Sequence, residues 1–181
     1  DIQASGISVV QLIRRQERNI SSVVGDYEAS GYDAVQFLYQ KGCREIGLIA
    51  GAQHLAPYKG RYEGYRKAIR ELGLEEYIGE STEAVNSFQY GYSSACQLLD
   101  DNYALDAIIA AVDIQGLGAI RALAERGIAM PEKVKVISLT GHEVGAMLET
   151  SMTSIEMPAK EIGAAAAKMS IGEIEAPHGR K

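Results

Sequence analysis

Two hydrophobic periods take turns along this chain. Glu45-Ile46-Gly47-Leu48-Ile49-Ala50 is a short, mostly apolar run between Gly42 and Gly51, and 107–112 is another. Runs of this length predict strands buried on both faces. Residues 134–139 are a further strand candidate, and 82–85 a weaker one. Between the strands the apolar residues recur every three or four positions. Tyr62, Tyr65, Ile69 and Leu72 form one stripe, ended by Gly73. Tyr92, Ala95, Cys96 and Leu99 form a second, and Leu117, Ile120 and Leu123 a third, ended by Arg126-Gly127. Each stripe predicts a helix with one face on a core, and glycine suits the position just past a helix end. Strand and helix alternate in units of about 26 to 30 residues, the length that parallel crossovers need. Right-handed crossovers then make an open, doubly wound parallel sheet, an α/β fold.

The two ends depart from this rhythm. Ile7 to Ile13 and Val23-Val24 read as strands, and Gly31, Ala34, Val35 and Leu38 share a helical face that Lys41-Gly42 ends. Beyond 151, Thr153-Ser154-Ile155 is a short extended piece, Pro158 suits a first helical turn, and 159–170 is Ala-rich and helical. The tail from Ala176 to Lys181 shows no pattern. We therefore expect residues 1–42 to be part of one lobe, 43–152 a second lobe, and 153–181 a segment returning to the first.

Composition narrows the function. The chain has 181 residues, 46% hydrophobic and 23% charged, as in an ordinary globular protein. Its net charge of −6 argues against a nucleic-acid-binding surface, because phosphate contacts need a local excess of positive charge. No apolar run reaches the length of a membrane span. The start lacks an initiator Met and a signal-peptide pattern, so the sequence reads as part of a longer chain. Cys43 and Cys96 share no metal-ligand spacing with His54, His142 or His178. They are expected as free thiols, with a disulfide as the alternative if the fold brings them together.

Four segments, in order, resemble one family. SVVGDYEASGYDAVQFLYQKGCREIGLIAG (22–51), RYEGYRKAI (61–69), LDAIIAAVDIQGLGAIRALAERGIAMPEKVKVISL (105–139) and MTSIEMPAKEIGAAAAKM (152–169) are similar to the effector-binding core of LacI/GalR-type transcriptional repressors. The likeness runs over residues 6–180. It implies a periplasmic-binding-protein-like fold of two lobes, the first incomplete here. It also implies a non-enzymatic, cytoplasmic sensor that binds a small effector between its lobes, dimerises through this core, and meets operator DNA only through a headpiece outside this sequence. A transport-linked solute-binding protein is the alternative. Neither reading calls for a cofactor or a metal.

The resemblance also points to residues. Arg61, at the start of a helix after a strand, offers a rigid fork of donors for hydroxyls or a carboxylate. Its replacement by Ala is expected to weaken effector binding at least about tenfold with little change in melting temperature. Asp113 is either an acceptor for the effector or an N-cap for the helix near 116, and both roles are compatible. Thr140 stands where the family often has a carboxylate, and Val112 where it has an amide. The stacking aromatic falls near Asn86, with Phe88 and Tyr90 close by, and Pro57 replaces a small hydroxyl residue. These departures shift the expected effector from a plain sugar towards a less hydroxylated, phosphorylated or anionic molecule. Among ten tyrosines, Tyr58, Tyr90 and Tyr27 are candidates to stack on a ligand, while Tyr62, Tyr65 and Tyr92 read as core. His142-Glu143 could form an acid/base pair or simply a loop. No nucleophile with an orienting partner accompanies it, and residues 49–52 do not match a nucleotide fingerprint. Arg14, Arg15 and Arg18 read as a solvated turn.

Overall fold

A computed structural model describes residues 7–102, 104–141 and 143–175. In chain order the elements are β1 (Val10–Leu12), β2 (Ser21–Val23), α1 (Tyr27–Gln40), β3 (Ile46–Ile49), α2 (Ala56–Glu71), β4 (Tyr77–Gly79) and α3 (Phe88–Asp101), followed by β5 (Ala107–Ala110), α4 (Asp113–Glu125), β6 (Lys135–Ser138), a 3-10 turn (Glu143–Met147), β7 (Thr153–Ser154) and α5 (Ala159–Glu175). They form two compact units. One joins the residues up to Gly25 to those from Pro158 on, and the other is Asp26–Met157. The boundaries expected at 42 and 152 thus fall at 25 and 157. The physical reason is α1: its Gly31 meets the backbone of Arg61 on α2, which ties the helix to the second unit.

In the smaller unit β1 and β2 pair in parallel, and Glu173 on α5 accepts from Ser8 and Ser21. The strand expected over 7–13 is only Val10–Leu12. Ile13 takes the left-handed backbone (φ 64°), which ends the strand. The Gln11 side chain then holds the turn, donating to the Glu17 and Ile20 carbonyls and accepting from the Gln16 and Glu17 amides. Arg14, Arg15 and Arg18 are exposed in that turn. α5 runs five residues further than expected, and 176–181 lie outside the described residues.

The larger unit is a five-stranded parallel sheet in the order β4-β3-β5-β6-β7. Strand residues alternate between its two faces. Ile46, Leu48, Ala107, Ile109, Ile137 and Leu139 join α1 and α2 in one core. Ile49, Ile108 and Val136 join α3 and α4 in the other. Covering both faces removes the polar alternation of a half-exposed sheet, hence the continuous apolar runs. The chain leaves β3 towards β4 by α2 and recrosses to β5 by α3, so the sheet changes direction beside β3. Ligands in open α/β sheets bind outside the carboxyl ends of strands at such a reversal.

Three expectations shift. The weak strand at 82–85 is a bend, and the edge strand is Tyr77–Gly79, paired in register with Gly47–Ile49. Pro57 lies in the first turn of α2, which therefore begins before Arg61. The core faces of α3 and α4 are Tyr90, Gly91, Ser94, Ala95, Leu98 and Leu99, and Gly116, Gly118, Ala119, Ala122 and Leu123. Tyr92, Cys96, Leu117 and Ile120 are only half-buried. Glycine and alanine mark these faces because the helices cross backbone to backbone, and a hydrophobic stripe does not weigh them.

Both cysteines are free, Cys43 buried and Cys96 half-buried. Burial also pushes the Cys43 thiol up, so both access and thiolate content fall. A maleimide added to the native protein at neutral pH should therefore modify Cys96 first and Cys43 only on unfolding. Equal native labelling, read by peptide mass spectrometry, would contradict this packing. No helix among the described residues is long and apolar enough to cross a membrane.

Candidate functional site

The carboxyl ends of β3, β5 and β6 carry the polar cluster. After β3 the backbone turns at Gly51, whose φ of 74° favours glycine. A Cβ there would lie 2.2 Å from the Tyr58 ring, so the missing side chain seats that ring. Three residues later on the same face of α2 comes Arg61.

Arg61 is 3% exposed. Its Nη2 donates to the Leu139 carbonyl at 2.9 Å, just past β6. The guanidinium stands 5.2 Å from the centre of the Tyr27 ring, at the start of α1. Its Nε is buried and has no hydrogen-bond partner among the described residues. Burial pulls the guanidinium below its ordinary pKa, against the pull of Tyr27, Tyr58 and Asp113. An unpaired buried donor on a charged group costs roughly 1–3 kcal/mol or more. A ligand acceptor at Nε would relieve that cost.

Asp113 is not an N-cap. It is the first residue of α4, and the cap position belongs to Val112, which caps nothing with its side chain. The Asp113 carboxylate accepts instead from Ser138 Oγ at 2.6 Å and from Thr140 Oγ1. Thr140 Oγ1 also accepts from the Asp113 amide at 3.0 Å. The Thr140 hydroxyl thus both donates and accepts within the fold. Ser138, fully buried, is a member of the cluster that the sequence reading missed. A serine closing the strand directly after the apolar pair Val136-Ile137 was its signal.

A second pair adjoins α2. Tyr58, 4% exposed, donates to the Asn86 amide oxygen. Asn86 itself is exposed. Its loop is pinned by Gln115, whose Nε2 donates to the Val85 carbonyl at 2.8 Å. Gln115, on the first turn of α4, is another participant that sequence reasoning missed, since a glutamine inside a helix looks like any solvated polar residue. Phe88 opens α3 and is 40% exposed, an accessible ring face. Tyr90 is 5% exposed in the α3–α4 core rather than a surface aromatic. Glu143 is exposed on the 3-10 turn, and His142 lies outside the described residues. The structure therefore brings Arg61, Asp113 and Thr140 to the end of β6 and joins Tyr58 to Asn86. Among the described residues no group of three His, Cys, Asp or Glu side chains could hold a metal.

A doubly wound parallel sheet with a buried cation at its carboxyl edge is the architecture of small-ligand binding domains. The chain belongs to the periplasmic binding protein-like domain family, which matches residues 35–181. It is 33% identical to the HTH-type transcriptional regulator CelR of Thermobifida fusca over 87% of this chain and 46% of that protein. It is 27% identical to the ribose operon repressor of Halalkalibacterium halodurans over 93% of this chain and 50% of that protein. The structure of the transcriptional regulator CelR in complex with cellobiose superimposes with a TM-score of 0.86 at 29% identity, covering 99% of this chain and 56% of that one. The chain spans about half the length of the curated relatives it matches. These relatives are named as transcriptional regulators.

Proposed function

We propose that this chain is the effector-sensing core of a LacI-type transcriptional regulator. It binds a sugar or sugar derivative and catalyses no reaction. The relatives' names support the ligand class: one represses a ribose operon, and another was solved with cellobiose. The observation that carries the reading is Arg61, a buried guanidinium with an unpartnered Nε at the carboxyl edge of the sheet. Arg61, Asn86 and the Phe88 ring form the receptive set, with Tyr58 and Thr140 positioning it. Asp113 holds the end of β6 against the start of α4. The smaller unit is part of the amino-terminal lobe, and α5 belongs to the segment that returns to it.

An effector that binds one conformational state of the regulator more tightly shifts the population towards that state. Operator binding must then change effector affinity by the same factor. DNA contact falls to a separate headpiece, consistent with this chain's net charge of −6. The regulator acts in the cytoplasm as a homodimer, the symmetry that palindromic half-sites require.

A thermal-shift screen of this chain with sugars, sugar phosphates and nucleobases tests the reading. A ligand at a hundred times its Kd adds about 2.7 kcal/mol to stability. The stabilising ligand should lose its effect in Arg61→Met. A shift that survives this substitution removes Arg61 from the site, and no shift from any compound sinks the sensor reading.

A further inference from the structure

We propose that Gln115 is a positioning residue of the effector site: its buried amide holds the loop between β4 and α3, and with it Asn86 and Phe88. This deepens the effector-sensing reading and rests on it, since the loop carries part of the receptive set. Thr82, Glu83, Ala84 and Asn86 are exposed, and Val85 is half-buried. So exposed a stretch keeps one conformation only where it is tied down. Two ties fall on consecutive residues. The Val85 carbonyl accepts from Gln115 Nε2 at 2.8 Å, and the Asn86 amide oxygen accepts from the Tyr58 hydroxyl. Gln115 stands on α4 and Tyr58 on α2, helices that cover opposite faces of the sheet. The loop is thus fastened to both helix layers at the carboxyl edge.

Gln115 is 0% exposed, and its Oε1 has no hydrogen-bond partner among the described residues. A buried amide that leaves its acceptor bare gains from its polarity only the bond it donates. Its backbone is fixed as well. A Cβ on Gly91 would lie 2.4 Å from Gln115 Cα, so α3 packs directly on this turn of α4. Two residues beyond Val85, Ser87 caps α3 by accepting from the Tyr90 amide at 3.0 Å, and Phe88 follows. The Gln115 bond therefore sets where the loop enters α3 and where the Phe88 ring begins.

Gln115→Met separates this role from simple packing. Methionine has a similar length, removes the bare acceptor and removes the donor, so the melting temperature should stay within about 4 °C of the wild type. Backbone order parameters from 15N NMR relaxation read the loop itself. Residues 84–87 should lie near about 0.8 in the wild type and fall below about 0.6 in Gln115→Met, while β5 stays near about 0.85 in both. Calorimetric titration with ribose and cellobiose reads the site. A sugar that binds the wild-type chain should bind the variant at least about tenfold more weakly, because a preformed loop has been lost. One measurement needs no variant: the Gln115 side-chain amide protons should exchange with water at least about a hundredfold slower than those of exposed Gln40. Fast exchange there, a wild-type loop already below about 0.6, or a loop unchanged by Gln115→Met overturns the proposal. A released loop with unchanged sugar affinity overturns it too, and leaves the sensor reading standing. If neither sugar binds the wild-type chain, the NMR results alone decide the role of Gln115, and the thermal-shift screen alone decides the sensor reading.

Discussion

Replacing Gly91 or Gly118 by alanine should destabilise the larger unit by about 3 kcal/mol or more, a fall of roughly 10 °C in melting temperature. The two helices α3 and α4 touch through these glycines. A Cβ on Gly91 would lie 2.1 Å from the Gln115 carbonyl oxygen, and one on Gly118 would lie 2.2 Å from that of Phe88. Both obstacles are backbone atoms, so no side chain can swing aside. The helices must separate, and the core of Ala95, Leu98, Ala119, Ala122 and Leu123 beneath them loosens. On the other face of the sheet, Gly31 and Gly64 make the same contact between α1 and α2, with Cβ positions 2.1 Å from the Arg61 carbonyl and 1.9 Å from that of Glu28. Urea melts followed by circular dichroism measure the effect. The contrast is Gly163→Ala on α5, where a Cβ meets nothing within 4 Å. In a helix interior that change should stabilise by about 0.5–1 kcal/mol. A Gly91→Ala variant that loses under about 1 kcal/mol would show that the helices can shift freely, contrary to close backbone packing.

Arg61→Met should cost little stability and nearly all effector binding. The wild-type side chain keeps a charge 3% exposed, with one carbonyl as its hydrogen-bond acceptor, the Tyr27 ring and Asp113 as partial compensation, and a bare Nε. Replacing a poorly compensated buried charge with an apolar side chain of similar length is often neutral or stabilising. Against that stands the loss of one donor to the Leu139 carbonyl, worth about 1–3 kcal/mol. The two effects oppose each other, and we expect a net change within about 1 kcal/mol. Arg61→Ala differs. It loses the same donor and also leaves a cavity beneath Tyr27, so its melting temperature should fall. This corrects the expectation from sequence that the alanine variant would melt like the wild type, which assumed a solvated Arg at a helix start. Differential scanning calorimetry on both variants separates the cases. If Arg61→Met loses more than about 3 kcal/mol, the guanidinium is a structural support whose needs the fold already meets.

How much of this was legible varies by element. The strands at 46–49 and 107–110 were readable because a doubly covered sheet writes itself as continuous apolar runs, and 135–138 was readable from its Val136-Ile137 pair flanked by Val134 and Leu139. The helix α1 was readable from Gly31, Ala34, Val35 and Leu38, the residues that are in fact buried. The edge strand β4 was not. Its three residues are held by register with β3, and nothing in Tyr77-Ile78-Gly79 outweighs the bend that follows. The core faces of α3 and α4 were only partly read, with Ala95, Leu99 and Leu123 placed and Gly91, Gly116 and Gly118 overlooked, because glycines carry no hydrophobic signal although they make the closest contacts.

The site divides in the same way. The family resemblance pointed to Arg61 and Asp113, and a parallel sheet sends every strand's carboxyl end to one edge. The chain also determined the α/β class and the family likeness. Only the tertiary structure decided what those side chains do. It turned Asp113 from a helix cap into the acceptor of Ser138 and Thr140, and it buried Arg61 without a partner for Nε. Periodicity is a local property that one segment can display alone. Hydrogen-bond satisfaction is a property of atoms from four or five distant segments, and it exists only once they are packed together.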